Sequence, residues 1–138
     1  SAKVTGTQWV GGIIGTIAND GNVFAACANT GEISGNSNVG GIAGTPGSSE
    51  KLIACYTTKG NLCGNTSATV SGSYYVASED TDGEDGTTAV ADVAALNSAE
   101  VVAAMNAAID TYNSSATTQV TYKWKVGITL PELELVSE

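Results

Sequence analysis

Short apolar segments separated by turn-forming residues dominate the first half of the chain. Three of these segments lie around residues 10–14, 23–27 and 32–34, and the separators are Asn, Asp, Gly, Thr and Ser. No segment is long enough for a helix, and β-branched residues punctuated by glycine favour strands. The pattern therefore predicts a mainly β structure of short strands joined by turns.

These segments repeat with an offset of 29 residues. Residues 9–16 (WVGGIIGT) recur as residues 38–45 (NVGGIAGT), which places Val39 29 positions after Val10. A shorter third copy at residues 70–76 (VSGSYYV) echoes residues 52–56 (LIACY). Taken without a gap, the offset of 29 aligns Phe24 with Ile53, Gly31 with Gly60, Ile33 with Leu62 and Gly35 with Gly64.

A repeat of this length is typical of supersecondary units that stack, because one copy cannot bury its own apolar face. Three short strands in each 29-residue copy predict a short right-handed parallel β-helix, or β-solenoid, over residues 1–78. Glycines at equivalent positions, such as Gly12 and Gly41, would let successive coils approach closely.

The residues after the repeats are acidic. We interpret residues 79–95 as a linker loop. Asp80, Asp82 and Glu84 are spaced like the first ligands of a calcium-binding loop, but the glycine and the last glutamate of an EF-hand are missing at the matching positions. A weak calcium site and a solvated acidic turn are therefore both open.

Residues 96–138 are predicted to form a helix and two strands that cap the open end of the solenoid and complete one compact unit. Asn97 is the predicted N-cap, with Glu100 as its capping-box partner, and the helix should run to about Tyr112. One apolar stripe follows the helix, formed by Val101, Met105, Ala108, Ile109 and Tyr112.

Alternating apolar and polar residues predict the two strands of this segment. Tyr122 and Trp124 alternate with lysines over residues 120–126, which is the pattern of a half-buried strand. In the second strand Leu133 and Leu135 are expected to face the core.

The motif of the repeats resembles a known family. Gly12-Ile13-Ile14-Gly15 and Gly41-Ile42-Ala43-Gly44, each followed by an apolar segment with Cys or Tyr, resemble the GLUG-motif repeats of bacterial cell-surface proteins, and the resemblance spans about residues 9–76. It implies an adhesin-like surface module, or a non-catalytic part of a secreted peptidase. Trp124 with the later LPEL segment is similar to the family's closing residues, which implies the C-terminal part of a longer secreted protein.

The charged residues argue against several classes of partner and reaction. The formal net charge is -9, and the chain has five lysines but no arginine and no histidine. Nucleic acid and anionic membranes are therefore disfavoured, and the commonest general base and metal ligand are missing. No segment approaches the roughly 20 apolar residues that span a bilayer.

The carboxylates of the repeats give no catalytic pair either. Asp20, Glu32 and Glu50 occupy different coil positions, whereas glycosidases need two facing carboxylates. We therefore predict no enzymatic activity, no catalytic residues and no cofactor.

The three cysteines, Cys27, Cys55 and Cys63, show no metal-binding or thioredoxin-like spacing. The 29-residue register places Cys27 on Tyr56 and Cys55 on Ala26, so that the two thiols would face opposite sides of a strand. Buried thiols are thus predicted, and a Cys27–Cys55 disulfide is disfavoured.

The leading interpretation is a non-enzymatic extracellular module for adhesion or structural display, with a host glycan, a host protein or a neighbouring surface protein as partner. Its candidate ligand-binding residues are Tyr56, Tyr74 and Tyr75, because aromatic faces stack on sugar rings. The same tyrosines could instead stabilise stacked coils. An accessory domain of a secreted peptidase, a carbohydrate-binding β-helix and a plain stalk remain the alternatives.

Overall fold

In the computed structural model, which describes residues 2–17, 21–65, 67–77 and 86–136, the chain is mainly β and ends in a helical segment and a hairpin. The first strands are β1 (Lys3–Thr5), β2 (Gln8–Gly11), β3 (Ile14–Thr16), β4 (Val23–Ala25), β5 (Ala28–Asn29), β6 (Glu32–Ser34), β7 (Ser37–Gly40), β8 (Ala43–Thr45), β9 (Lys51–Ile53) and β10 (Tyr56–Thr57). The later elements are β11 (Thr69–Ser71), β12 (Ser73–Val76), β13 (Thr87–Val90), α1 (Val93–Leu96), α2 (Ala99–Asn113), β14 (Tyr122–Lys125) and β15 (Glu132–Leu135).

Each of the first five strands pairs in parallel with the strand five places later in the chain. The pairs are β1 with β6, β2 with β7, β3 with β8, β4 with β9 and β5 with β10. Strand β11 then adds to β9, and β12 adds to β10. Each copy of the repeat is therefore hydrogen-bonded to the next copy through its backbone.

The predicted 29-residue register holds for the first three pairs, in which Val10 lies beside Val39. From β4 onwards the offset is 28 residues, because Phe24 pairs with Leu52 and not with Ile53. The cause is the connection that precedes this strand. It comprises residues 17–22 in the first copy but only residues 46–50 in the second. The ungapped alignment is therefore wrong after β3.

The alignment of Leu62 with Ile33 is also wrong. The Leu62 carbonyl accepts hydrogen bonds from the backbone N–H groups of Ile42 and Ala43, at 2.8 and 3.3 Å. Residues 61–64 thus lie against residues 41–44, which connect β7 to the start of β8, and not against β6 as predicted.

The third copy pairs as its sequence predicts. Val70 lies beside Leu52, and Tyr74 lies beside Tyr56. The segment predicted as a linker contributes a fourth parallel strand, since β13 pairs with β12 over its whole length. Periodicity gave no signal for β13, because its TTAV sequence is short and only half apolar.

Close stacking explains both the glycines and an unusual backbone conformation. A Cβ on Gly12 would strike the carbonyl oxygen of Gly41, and a Cβ on Gly41 would strike the Thr57 side chain. Ala26 and Ala54 adopt φ values of 53° and 52° at equivalent corners, after β4 and β9. Each such alanine costs roughly 1–2 kcal/mol, so the corner is set by packing between copies and not by local preference.

Helix α2 begins one residue later than predicted. Its N-cap is Ser98, whose hydroxyl accepts a hydrogen bond from the Val101 N–H at 3.2 Å. The predicted cap, Asn97, instead bonds the backbone of Gly127 through both ends of its amide, at 3.0 and 3.1 Å. The single turn α1 precedes α2, with Asp92 as its cap.

Two apolar clusters lie on opposite faces of the parallel strands. The inner cluster lies between the strands and contains Ile42, Leu52, Cys55 and Leu62. The other joins α2 and the hairpin to the outer side of the strands, and it contains Ala26, Ile53, Ala54, Tyr56, Met105, Ile109 and Trp124. Neighbouring strand residues such as Leu52 and Ile53 point to opposite clusters, as the two-residue period of a strand requires. The helical segment therefore contacts several copies from the side.

The C-terminal hairpin pairs β14 with β15 in antiparallel fashion and places Trp124 opposite Leu133. Trp124 is buried, but Leu133 and Leu135 are 44% and 65% exposed. The prediction that both leucines face the core is wrong. The side-chain amide of Asn106 holds β14 against α2: its Nδ2 donates to the Trp124 carbonyl, and its Oδ1 accepts from the Trp124 N–H, both at 2.8 Å. Strand β15 pairs with the other side of β14.

Candidate functional site

The structure places the three candidate tyrosines on neighbouring parallel strands but in different surroundings. Tyr56 pairs with Tyr74, while Tyr75 pairs with Thr57. Tyr56 and Tyr75 are buried at 3% and 8% exposure. Only Tyr74, which is half-buried, offers part of its ring to solvent. A sugar could therefore stack on one of these rings and not on a ladder of three.

Tyr56 is buried because it joins the strands to the C-terminal hairpin. Its hydroxyl donates a hydrogen bond to the Pro131 carbonyl at 3.1 Å, and its ring lies 5.1 Å from that of Trp124, centroid to centroid. The Trp124 indole N–H in turn donates to the Ala54 carbonyl at 2.7 Å. Burial raises the pKa of the Tyr56 phenol. Tyr56 therefore serves to attach the hairpin to the strands.

The half-buried ring of Tyr74 lines a groove of about 490 Å³ between the β12–β13 edge and α2, here called the Tyr74 groove. Its other lining residues include Thr88, Ser98 and Glu100. Burial and, to a smaller extent, the negative charge of Glu100 raise the pKa of the Tyr74 phenol, which therefore stays a neutral donor. The groove combines one aromatic face with hydroxyls and one carboxylate.

A second groove of about 450 Å³ lies where α2 crosses β9 and β11, and it is here called the Tyr112 groove. Its lining residues are Lys51, Ile53, Thr69, Ser71, Ala108, Thr111, Tyr112 and Ser115. An aromatic ring, one ammonium group and several hydroxyls suit a neutral or acidic polyhydroxylated ligand. No sequence pattern indicates this groove, because Lys51 and Tyr112 lie in segments that only the lateral packing of α2 brings together.

The calcium candidates Asp80, Asp82 and Glu84 lie outside the described residues. Among the residues that are described, no group of three or more histidine, cysteine, aspartate or glutamate side chains is arranged to hold a metal ion.

Some carboxylates of the described segments, among them Glu32 and Asp110, form ion pairs at the surface. Lys3 lies 2.9 Å from Glu32, and Lys123 lies 2.8 Å from Asp110. The Lys3 ammonium lowers the pKa of the Glu32 carboxyl through a hydrogen bond and its charge. This pair joins β1 to β6 and so ties adjacent copies of the repeat on the solvent side.

No protein-family model, curated protein or solved structure matches this chain. Within the described ranges, no helix is long and apolar enough to cross a membrane.

Proposed function

We propose that this chain is a non-enzymatic display or adhesin-like module of a bacterial cell surface, built as a short right-handed parallel β-helix. The observation that carries the proposal is the set of five consecutive parallel strand pairs, β1–β6 to β5–β10. Stacked copies of this kind extend in one direction and keep their side chains at fixed spacing. The GLUG-like segments provide the link to bacterial surface proteins.

The contacts of the C-terminal segment support a mechanical role. Trp124 and Tyr56 fasten the hairpin to the second copy, and Gly72 of the third copy lies directly under Ala108 of α2. A helix attached along several copies opposes their separation, because pulling one copy away would expose this shared apolar cluster. Such a module holds a ligand or a neighbouring domain at a defined place outside the cell.

The experiment measures binding to surfaces and enzymatic product formation with the same preparation of the protein. Beads coated with the folded chain are passed over arrays of glycans and matrix proteins, and beads coated with heat-unfolded chain serve as the control. Retention of the folded chain alone supports the adhesin-like role. The same chain is incubated with oligosaccharide and peptide libraries, and product formation that scales with protein concentration contradicts the proposal.

Carbohydrate binding is the second candidate function, and the Tyr112 groove is the observation that favours it. We expect Tyr112→Ala to reduce retention on any glycan that binds, because the stacking face is lost. Tyr122→Ala is the matched control, since Tyr122 is 49% exposed on β14 and lines neither groove. Equal retention of both variants would exclude this groove as the glycan site.

A further inference from the structure

The 28-residue register brings two thiols together that the sequence alone sets apart. Cys27 follows Ala26 between β4 and β5, and Cys55 follows Ala54 between β9 and β10. Backbone hydrogen bonds fix this alignment on both sides. The Ala26 N–H donates to the Ile53 carbonyl at 2.9 Å, and the Tyr56 N–H donates to the Cys27 carbonyl at 2.9 Å.

Both side chains pack in the same interior cluster. The Cys55 thiol donates across to the Phe24 carbonyl at 3.4 Å, and the Cys27 thiol donates to the Ala25 carbonyl at 3.5 Å, so both thiols lie against β4. Adjacent strands are about 4.7–4.9 Å apart, which lies within the Cα separation of about 4.4–6.8 Å that a disulfide needs. The earlier expectation that Cys27 and Cys55 face opposite sides is therefore wrong. The third copy has Ser73 at this place, and its hydroxyl accepts the Cys55 N–H at 3.0 Å.

The two thiols differ in access and in acidity. Cys27 is half-buried, whereas Cys55 is fully buried. Interaction with the neighbouring Cys55 thiol lowers the pKa of the Cys27 thiol to about 7. Interaction with Cys27, together with burial, raises the pKa of Cys55 well above its usual range. Cys27 is thus the thiol that ionises first and that a reagent can reach.

We propose that Cys27 and Cys55, which are free thiols in this structure, are a redox pair that a small-molecule disulfide oxidises to a cystine joining two successive copies of the repeat. This inference rests on the strand register and is independent of the proposed function.

The reaction proceeds by two thiol–disulfide exchanges. Cys27 loses its proton, and its sulfur attacks one sulfur of glutathione disulfide, so that the oxidant's S–S bond breaks and one glutathione leaves. Cys55 then loses its proton and attacks the Cys27 sulfur, which releases the second glutathione. The two protein thiols lose two electrons, and the oxidant is reduced to two thiols.

The experiment exposes the intact folded chain to glutathione disulfide and maps the products without reduction. Trypsin cleaves after Lys51 and Lys59, so Cys27, Cys55 and Cys63 fall on three separate peptides, 4–51, 52–59 and 60–123. We expect peptides 4–51 and 52–59 to become joined, with the loss of two hydrogens. Reduced peptides, glutathione on both cysteines, or a bond to peptide 60–123 would overturn the proposal.

Variants test the order of attack and the specificity. In Cys55→Ser, Cys27 should accumulate as the glutathione adduct, because no second thiol displaces it. Cys63→Ala is the control, since Cys63 pairs with Ala43 at a different corner, and its cross-link yield should equal that of the unmodified sequence. The cross-link should raise the melting temperature by roughly 10 °C, and Cys27→Ser should show no such shift.

Discussion

Trp124 offers the sharpest test of how the C-terminal hairpin is attached. The side chain is 3% exposed, and its indole N–H donates to the buried Ala54 carbonyl at 2.7 Å. Trp124→Phe keeps an aromatic ring at this place but removes the donor. The Ala54 carbonyl then loses a hydrogen bond inside the apolar cluster that joins α2 to the strands.

The expected cost follows from these contacts. A buried tryptophan removes about 150–250 Å² from water, or about 4–6 kcal/mol at about 25 cal/mol per Å². We estimate that phenylalanine retains about two thirds of that area, so the loss is about 1–2 kcal/mol. An orphaned buried acceptor adds about 1–3 kcal/mol. The sum, about 2–5 kcal/mol, is a large part of the about 5–15 kcal/mol that stabilises a typical domain.

Urea denaturation followed by far-UV circular dichroism measures this difference. The matched control is Trp9→Phe, because Trp9 is 52% exposed and the chain contains only two tryptophans. We expect the control to change the free energy of unfolding by less than about 0.5 kcal/mol. If the two variants unfold at the same urea concentration, the hairpin is not held through Trp124 and the described attachment is incorrect.

Three further predictions concern stacking, capping and alkaline stability. Gly41→Ala should lower the free energy of unfolding by about 1–3 kcal/mol in urea titrations, because the new Cβ meets the buried Thr57 side chain; a cost below about 0.5 kcal/mol, as at an ordinary surface position, would contradict this contact. Ser98→Ala should cost about 1 kcal/mol and reduce α2 helicity, measured by circular dichroism, through loss of the N-cap; unchanged stability would argue against Ser98 as the cap. The folded protein holds the Tyr56 proton more tightly than the unfolded chain, so this contribution to stability is full below the ordinary phenol pKa of about 10 and is lost as the pH rises through the folded pKa. Between about pH 9 and about pH 11, the free energy of unfolding measured in urea should therefore fall less for Tyr56→Phe than for the unmodified sequence. An equal fall in both proteins would show that other groups cause the loss of stability.

The repeat in the sequence correctly predicts which strands become neighbours in the first copies. It does not predict the change of register after β3, because both connections are rich in turn-forming residues and a missing residue there does not alter the order of the apolar segments. Asn97 and Ser98 are equally good N-caps by composition. The structure selects Ser98 because Asn97 bonds Gly127, a contact 30 residues away in the chain.

The sequence predicts less of the candidate site than of the fold. Tyr56 and Tyr74 are correctly aligned, but nothing near them in the sequence shows that Trp124 and Pro131 cover Tyr56. The thiol pair was missed for a different reason. A one-residue error in register moves Cys55 from the same side as Cys27 to the opposite side, because side chains alternate along a strand.

The change from 29 to 28 residues between copies means that a connection can change its length in this protein while the strands on either side keep their partners. The connection over residues 46–50 has one residue fewer than its counterpart, yet β8 and β9 still find their partners. Ser48 and Ser49 are exposed within it, between the buried Pro46 and Glu50. Foreign peptides inserted between these serines would be presented on a fixed frame, which makes this loop a natural grafting point for epitopes or labels.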